Sequence, residues 1–368
     1  MAASKLLPAI LATALGFFLM VVLVVQRDRA KSCGADFASF YTGGKLAFSP
    51  ELYSEQAVLS IQREIVGCVD ESNRFVRLPY LAALMYPLAQ LPYLTALAVW
   101  RVLSVVALAG FIWFWPAPRW WNAIACAWSI PLLACFTFGQ DVTLLLVYVA
   151  LAIALLTRDK PLAAGLVLAL CAAKFHLFLF VPLVILRRRL WRFGAGALAG
   201  GAVLVAASFL TAGWNWPLRF MSAATDPNSN PHFRDMVNFR AILAAAPFAT
   251  WIEIALAVIA AVLVWRAAQR GSIAFAFSLA VVAGILCGRH SYLYDAALAL
   301  PACLAVLAGR GPRWLKAIAV AAAAPVTYYI PALPPFPTML HVALTALLAA
   351  AALAGETSDQ PAAISRRA

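Results

Sequence analysis

The residues of this chain with chemical capacity are few, and they are unevenly placed. The stretch Cys33-Gly34-Ala35-Asp36-Phe37-Ala38-Ser39-Phe40-Tyr41-Thr42-Gly43-Gly44-Lys45 sets a lone acid, Asp36, among aromatic and small residues, just where the chain leaves its first apolar run. A carboxylate there can cap a short interfacial helix, pair with a nearby Arg or Lys, or take a proton if it shares a cavity with other polar groups. Further polar residues stand at the ends of apolar runs: Lys45, Arg77, Gln140-Asp141, Asp235, Asn238, Arg240, Arg289, His290, Tyr292, Tyr294 and Asp295. Taken singly, each reads as a solvated loop residue. Because several separate segments bring ionisable groups to one face, the set reads as a shared polar cavity. Lys174, in Leu170-Cys171-Ala172-Ala173-Lys174-Phe175-His176, is the sharpest charge inside an apolar run. It lies about a dozen residues from the basic clusters on either side, too far for its stem to snorkel, so a buried phosphate contact is expected. Arg101 is ambiguous in the same way, and Glu253 reads as interfacial.

The elements that must hold these groups are membrane helices. Of 368 residues, 64% are hydrophobic and 12% charged, and the mean hydropathy is +0.87. No soluble domain of this length hides so much apolar surface, so the fold class is an all-α polytopic membrane protein forming a single domain over 1–368. The net charge of +13 sits at helix ends, which favours cytoplasmic anchoring and anionic headgroups over nucleic acid. Residues 6–25 have no small-x-small cleavage site behind them and read as a retained helix. Further spans are expected at 93–115, 120–138, 141–157, 194–212, 248–266, 272–288, 292–308, 314–331 and 337–354.

The stretch 161–186 is long enough for one tilted span, yet it carries Arg158-Asp159-Lys160 at one end and Arg187-Arg188-Arg189-Leu190-Trp191-Arg192 at the other. A broken, re-entrant pair of half-helices, interrupted near Lys174, returns both clusters to the cytoplasm. With that break, the loop 26–92, the turn 138–141, the loop 213–247, the turn 288–291 and the turn 330–337 fall on the outer side. The outer loop 26–92 is expected to carry interfacial helices, one amphipathic over 52–66 and a shorter apolar piece over 78–91. Cys33 and Cys68 share this loop and can form a disulfide if it faces an oxidising compartment. The other five cysteines lie in apolar runs. No zinc spacing, P-loop, GxGxxG, HExxH or GxSxG occurs, and Asp-x-Asp is absent. An enzyme of this design therefore needs a donor that lives in the membrane.

Several short pieces, in order, resemble glycosyltransferase family 87, the polyprenol-phosphate-mannose-dependent mannosyltransferases of the GT-C superfamily. They are Asp36-Phe37 with Phe40-Tyr41 and Leu52-Tyr53; Tyr86-Pro87-Leu88 with Leu91-Pro92 and Trp100; Phe138-Gly139-Gln140; Ala164-Gly165-Leu166 leading to Lys174; Arg187 to Arg192; and Arg289-His290-Ser291-Tyr292 with Tyr294-Asp295. Two positions depart from the pattern: Val142 stands where the family commonly has Asn, and Phe175-His176 intervene where it tends to have Pro soon after the Lys.

The resemblance implies a GT-C-like bundle of about 10–12 transmembrane helices, and an inverting transfer of a hexose from a polyprenyl-phosphate sugar to a lipid or glycan acceptor on the outer face. Mannose comes from the resemblance alone. Asp36 matches the superfamily's general base, and Lys174, Arg289 and His290 are candidates for the departing phosphate. Tyr41, Lys45, Arg77, Gln140, Arg240 and Asp295 complete the candidate substrate-binding set. No cofactor is expected beyond the lipid-linked sugar donor, and no metal ligand set is assigned. The expected location is a bacterial inner membrane with the site facing the periplasm. The competing class is a transporter or flippase, which would distribute ionisable groups about the midplane and both rims of its cavity; a non-catalytic scaffold would leave Asp36 dispensable.

Overall fold

Punctuation in the sequence sets the helix boundaries. Pro lies in the first turn of the helices starting at Pro79, Ile130, Pro161, Val181, Trp216 and Leu300, where its missing N–H costs nothing. Ser54, Ser129, Asn238 and Ser272 accept from backbone N–H groups at other helix starts. Gly67 and Gly139 end helices in the left-handed conformation. The computed structural model describes residues 3–26, 35–70, 73–229, 233–329 and 339–355. Among these the chain is helical throughout, with no strand.

The helices are α1 (Ala3–Gln26), α2 (Asp36–Lys45), α3 (Glu55–Val66), α4 (Pro79–Ala89), α5 (Tyr93–Phe114), α6 (Arg119–Ala127), α7 (Ile130–Phe138), α8 (Val142–Leu156), α9 (Pro161–Ala169), α10 (Val181–Arg188), α11 (Trp191–Ala212), α12 (Trp216–Thr225), α13 (Phe239–Leu243), α14 (Ala249–Arg270), α15 (Ile273–Cys287), α16 (Leu300–Ala308), α17 (Arg313–Ala323), α18 (Pro325–Tyr329) and α19 (Met339–Ala354). Tighter 3₁₀ segments, Leu170–Phe178 and Leu293–Ala299, precede α10 and α16.

Among the described residues five stretches are long and apolar enough to cross a membrane: Leu7–Val25, Tyr93–Phe114, Pro161–Phe178, Trp191–Ala212 and Ala249–Arg270. A sixth appears if α6 and α7, bent by 63° at their junction, count as one. Four shorter apolar helices, Val142–Leu156, Ile273–Cys287, Leu293–Ala308 and Leu340–Ala354, bring the total to the lower end of the expected range only if they also cross. Large apolar side chains on α5, α11 and α14 stay exposed, Val102, Leu198, Leu210 and Trp251 among them, as a lipid-facing surface requires. The polytopic helical class therefore holds. The expected turn at 330–337 and the C-terminal Arg366 and Arg367 lie outside the described residues.

Two cores fill the molecule. The larger joins α7, α8, α10, α14 to α17 and α19, with α15 buried along nearly its whole length. The smaller joins α2, α3, α4 and the start of α5 to Ala212 and Trp216. The helix expected over 52–66 forms as α3, but Ala57, Ile61 and Ile65 pack onto the smaller core, so protein covers much of the apolar stripe expected on a membrane surface. Arg74 clamps this region from outside, pairing with Glu55 at 2.9 Å and Asp226 at 2.6 Å. Cys68 is disulfide-bonded; its expected partner, Cys33, lies outside the described residues. Cys126, Cys135, Cys171, Cys287 and Cys303 are free thiols.

A kink stands at Lys174, the place of the expected break, while Pro161–Phe178 remains one stretch long enough to cross. Within Leu170–Phe178 that residue alone leaves helical geometry, at φ −132° and ψ 53°. A close approach holds the segment in place: α15 passes so near Leu177 that a side chain at Gly284 would strike the Leu177 carbonyl.

Candidate active site

Asp36 opens α2, where an acid in the first turn complements the helix dipole. Its anchors are numerous. Ala35, just ahead of it, accepts from Asn73 Nδ2 at 2.6 Å, and Ser39 Oγ donates to the Arg74 carbonyl at 2.9 Å. Phe37, fully buried, packs against Tyr93 and Trp100 with ring centroids 5.5 and 6.0 Å apart. Trp100 Nε1 in turn donates to the Gly139 carbonyl at 2.9 Å. The aromatic neighbours of the acid thus hold α2 against the α7–α8 turn, which carries Gln140 and Asp141.

That turn depends on Gly139, at φ 71° and packed against Phe37 Cβ. Gly139→Ala is expected to destabilise the protein by about 1–2 kcal/mol from the left-handed backbone alone, and to displace Gln140. A thermal-denaturation midpoint equal to wild type would show that the turn tolerates the change.

Two further segments meet at this turn. Lys174 Nζ contacts Asp295 Oδ1 at 2.5 Å, Gln140 Oε1 at 3.0 Å and Asp141 Oδ1 at 3.4 Å, and sits 4.8 Å from the Tyr294 ring centre. Lys174 and Asp295 are wholly buried, while Gln140 and Asp141 are 1% and 2% exposed. The second Asp295 oxygen accepts from the Tyr292 backbone N–H at 2.9 Å and closes a capping box on Leu293–Ala299. The ammonium is therefore engaged entirely by protein side chains.

Asp36 is different: it is half-buried and keeps access to solvent. Burial pushes its pKa up from 3.8 to about 6. The Gln140 side chain, Lys174 and Arg77 hold it down and Asp295 adds to the rise, so burial outweighs the nearby cations. A carboxylate poised there is ionised at neutral pH yet basic enough to accept a proton. Arg77 lies over the Phe40 ring, 5.7 Å from its centre, and no carboxylate pairs with it among the described residues. His290 lies 5.9 Å from His176 and 5.0 Å from Tyr292, ring centre to ring centre. Burial, with Arg77, His176 and Lys174 nearby, holds His290 well below its ordinary pKa and hence neutral at pH 7.

The structure thus gathers Asp36, Arg77, Gln140, Lys174, His290 and Asp295, and it separates the rest. Tyr41 is 3% exposed and donates to the Leu91 carbonyl at 2.7 Å, packed edge-on against Tyr93. Lys45 closes the far end of α2, on the Tyr41 ring. Arg240 lies on α13, which packs on α14 and α15. Arg289 is exposed in the 288–291 turn beside His290. His176, which the sequence offers only as a neighbour of Lys174, has its Nε2 buried without a hydrogen-bond partner among the described residues. Its position two residues after Lys174, past the kink, is the signal that could have found it. Among the described residues no His, Cys, Asp and Glu side chains group in a way that could hold a metal ion.

An integral membrane protein with an accessible, poised carboxylate beside a buried charge cluster suits transfer chemistry on a membrane-borne substrate. The model of glycosyltransferase family 87 matches residues 78–294, more than half of the chain. The chain belongs to that family and is a membrane glycosyltransferase; a GT-C architecture is consistent with this. No curated protein and no solved structure matches it. The matched region covers Arg77's neighbour Leu78 through Tyr294. Asp36 lies ahead of it, so the case for that residue rests on geometry and on the resemblance of its own segment.

Proposed function

We propose that this protein transfers a hexose, mannose in the first instance, from a polyprenyl-phosphate sugar to a lipid or glycan acceptor at the outer face of a bacterial inner membrane. The observation that carries the reading is the state of Asp36: half-buried, solvent-accessible and raised to about 6, next to a cluster whose other carboxylates are closed off. As the acceptor hydroxyl attacks the anomeric carbon, Asp36 takes its proton. The bond from that carbon to the phosphate oxygen breaks, and the phosphate leaves with the electron pair. One direct displacement inverts the anomeric centre.

The departing phosphate is already anionic and needs cations more than an acid. Arg77, with no carboxylate partner among the described residues, meets it, and neutral His290 supplies a hydrogen bond. Arg289, exposed and outside the gathered cluster but one residue before His290, reaches in from solvent. Lys174, whose ammonium is taken up by Asp295, Gln140 and Asp141, acts from behind. The re-entrant arrangement over 161–186 belongs to this reading, since it sets both flanking basic clusters in the cytoplasm and the site outside.

The test is transfer from a panel of radiolabelled polyprenyl-phosphate sugars by the purified protein in nanodiscs with candidate acceptor lipids. Turnover with inversion supports the reading. Flux of a lipid-linked sugar in proteoliposomes, with no transfer from any donor, would put a transporter in its place.

A further inference from the structure

Gln140, Lys174 and Asp295 each resemble substrate ligands in the sequence, yet at 1% exposure or less none of them meets solvent. Their bonds run in one direction. Tyr292 N–H holds one oxygen of Asp295, whose other oxygen holds Lys174 Nζ. Lys174 Nζ donates to Gln140 Oε1, which also accepts from the Asp141 N–H at 3.4 Å. With its oxygen committed to an ammonium and an amide, Gln140 has a determined orientation: the flipped amide would set NH₂ against NH₃⁺. Its Nε2 must therefore point the other way. It is buried without a hydrogen-bond partner among the described residues; Gly139, one residue before Gln140, packs against Phe37, one residue after Asp36, and the Gln140 side chain lowers the Asp36 pKa. Such a contact is often loose before substrate arrives and tightens in the reacting complex.

We propose that Gln140 is a positioning residue for the base, held in register by Asp295 and Lys174, so that its Nε2–H engages one oxygen of Asp36 and leaves the other aimed at the acceptor hydroxyl. The inference rests on the reading of Asp36 as the base. A carboxylate uses one oxygen to accept a proton, and fixing the other removes a rotation that would otherwise be lost at the transition state. An amide suits the task because it donates without titrating. The charged and titratable groups facing Asp36 are Lys174 from the kinked segment, Arg77 just ahead of α4, Asp295 and Tyr294 from the 3₁₀ segment before α16, and Tyr292 at its N-cap.

Two variants of the full-length protein in nanodiscs test this. Gln140→Leu removes both ends of the amide; Gln140→Glu keeps an acceptor for Lys174 and loses the N–H, so a folding defect in the first does not hide the answer. The Asp36 carboxyl is titrated by infrared difference spectroscopy, subtracting in each background the spectrum of the same protein with Asp36→Asn. In both variants the Asp36 midpoint is expected to rise by about one pH unit. With polyprenyl phosphomannose as donor, the acid limb of kcat should move up with it, while KM stays within about twofold. An unmoved midpoint in both variants would overturn the proposal. So would a large rise in KM with kcat and its pH profile intact, the signature of a direct sugar contact. If wild type and Asp36→Asn transfer equally well while the midpoint still moves in the Gln140 variants, the contact stands and it is the assignment of Asp36 as base that fails.

Discussion

Asp36→Asn is expected to lose transfer by about 10²–10⁴-fold and at the same time to gain stability above pH 7. Both effects have one origin. The folded protein holds the Asp36 carboxyl at about 6 against an ordinary 3.8, so the folded state binds this proton more tightly than the unfolded chain. Stability then falls as pH rises from about 4 through 6, and the full cost, about 3 kcal/mol, is present above that window. Asparagine keeps the shape and carries no charge, so its advantage should grow over the same window and level off near pH 7. Thermal aggregation midpoints of the two proteins at pH 4.5, 6 and 8 would show this. A constant difference across the range would mean that burial does not set the state of Asp36. A gain in stability accompanied by loss of turnover is also what separates a base from a structural cap, whose removal costs stability.

Lys174→Met should be the most damaging single change to folding. Methionine fits the wholly buried volume, but it leaves Asp295 and Asp141 facing each other without a cation. Removing one member of a buried ion pair costs about 3–5 kcal/mol, a large share of the stability of any domain. Poor yield and a lowered midpoint are expected, with substantial recovery in Lys174→Met/Asp295→Asn, which removes one charge of each sign. Lys174→Arg should not rescue, because a planar guanidinium needs more room than the ammonium it replaces. A single mutant as stable as wild type would show that Lys174 and its carboxylates hold no ion pair in the folded state.

The helix boundaries were legible because Pro, Gly and Ser act locally: Pro161, Gly139 and Ser272 each do in the structure what their types do anywhere. The kink at Lys174 was legible for an electrostatic reason, since two basic clusters flank one apolar stretch. The counter-charge of Lys174 was not. A sequence shows that an ammonium is too deep to reach water; it does not say whether the matching anion is a substrate phosphate or Asp295, which is distant in the chain. Tyr41 misled in the opposite way, as an aromatic with a hydroxyl suits a sugar face and equally suits a core where Leu91 supplies the acceptor. For α3 the amphipathic period was visible, but periodicity does not distinguish lipid from a neighbouring helix as the cover for an apolar face.

The separation between Lys174 and Asp295 also sets a timetable. The two are 121 residues apart, and a ribosome adds about 5–20 residues per second. For on the order of ten seconds a nascent chain therefore has Asp141 available and its main counter-ion still unmade. During that interval the half-built bundle carries a lysine that it cannot fully neutralise, and insertion of the last third becomes the step that seals the charge inside. Ribosome-bound chains stalled before Asp295 should accordingly leave Lys174 open to amine-reactive labelling, and chains released after α16 should protect it.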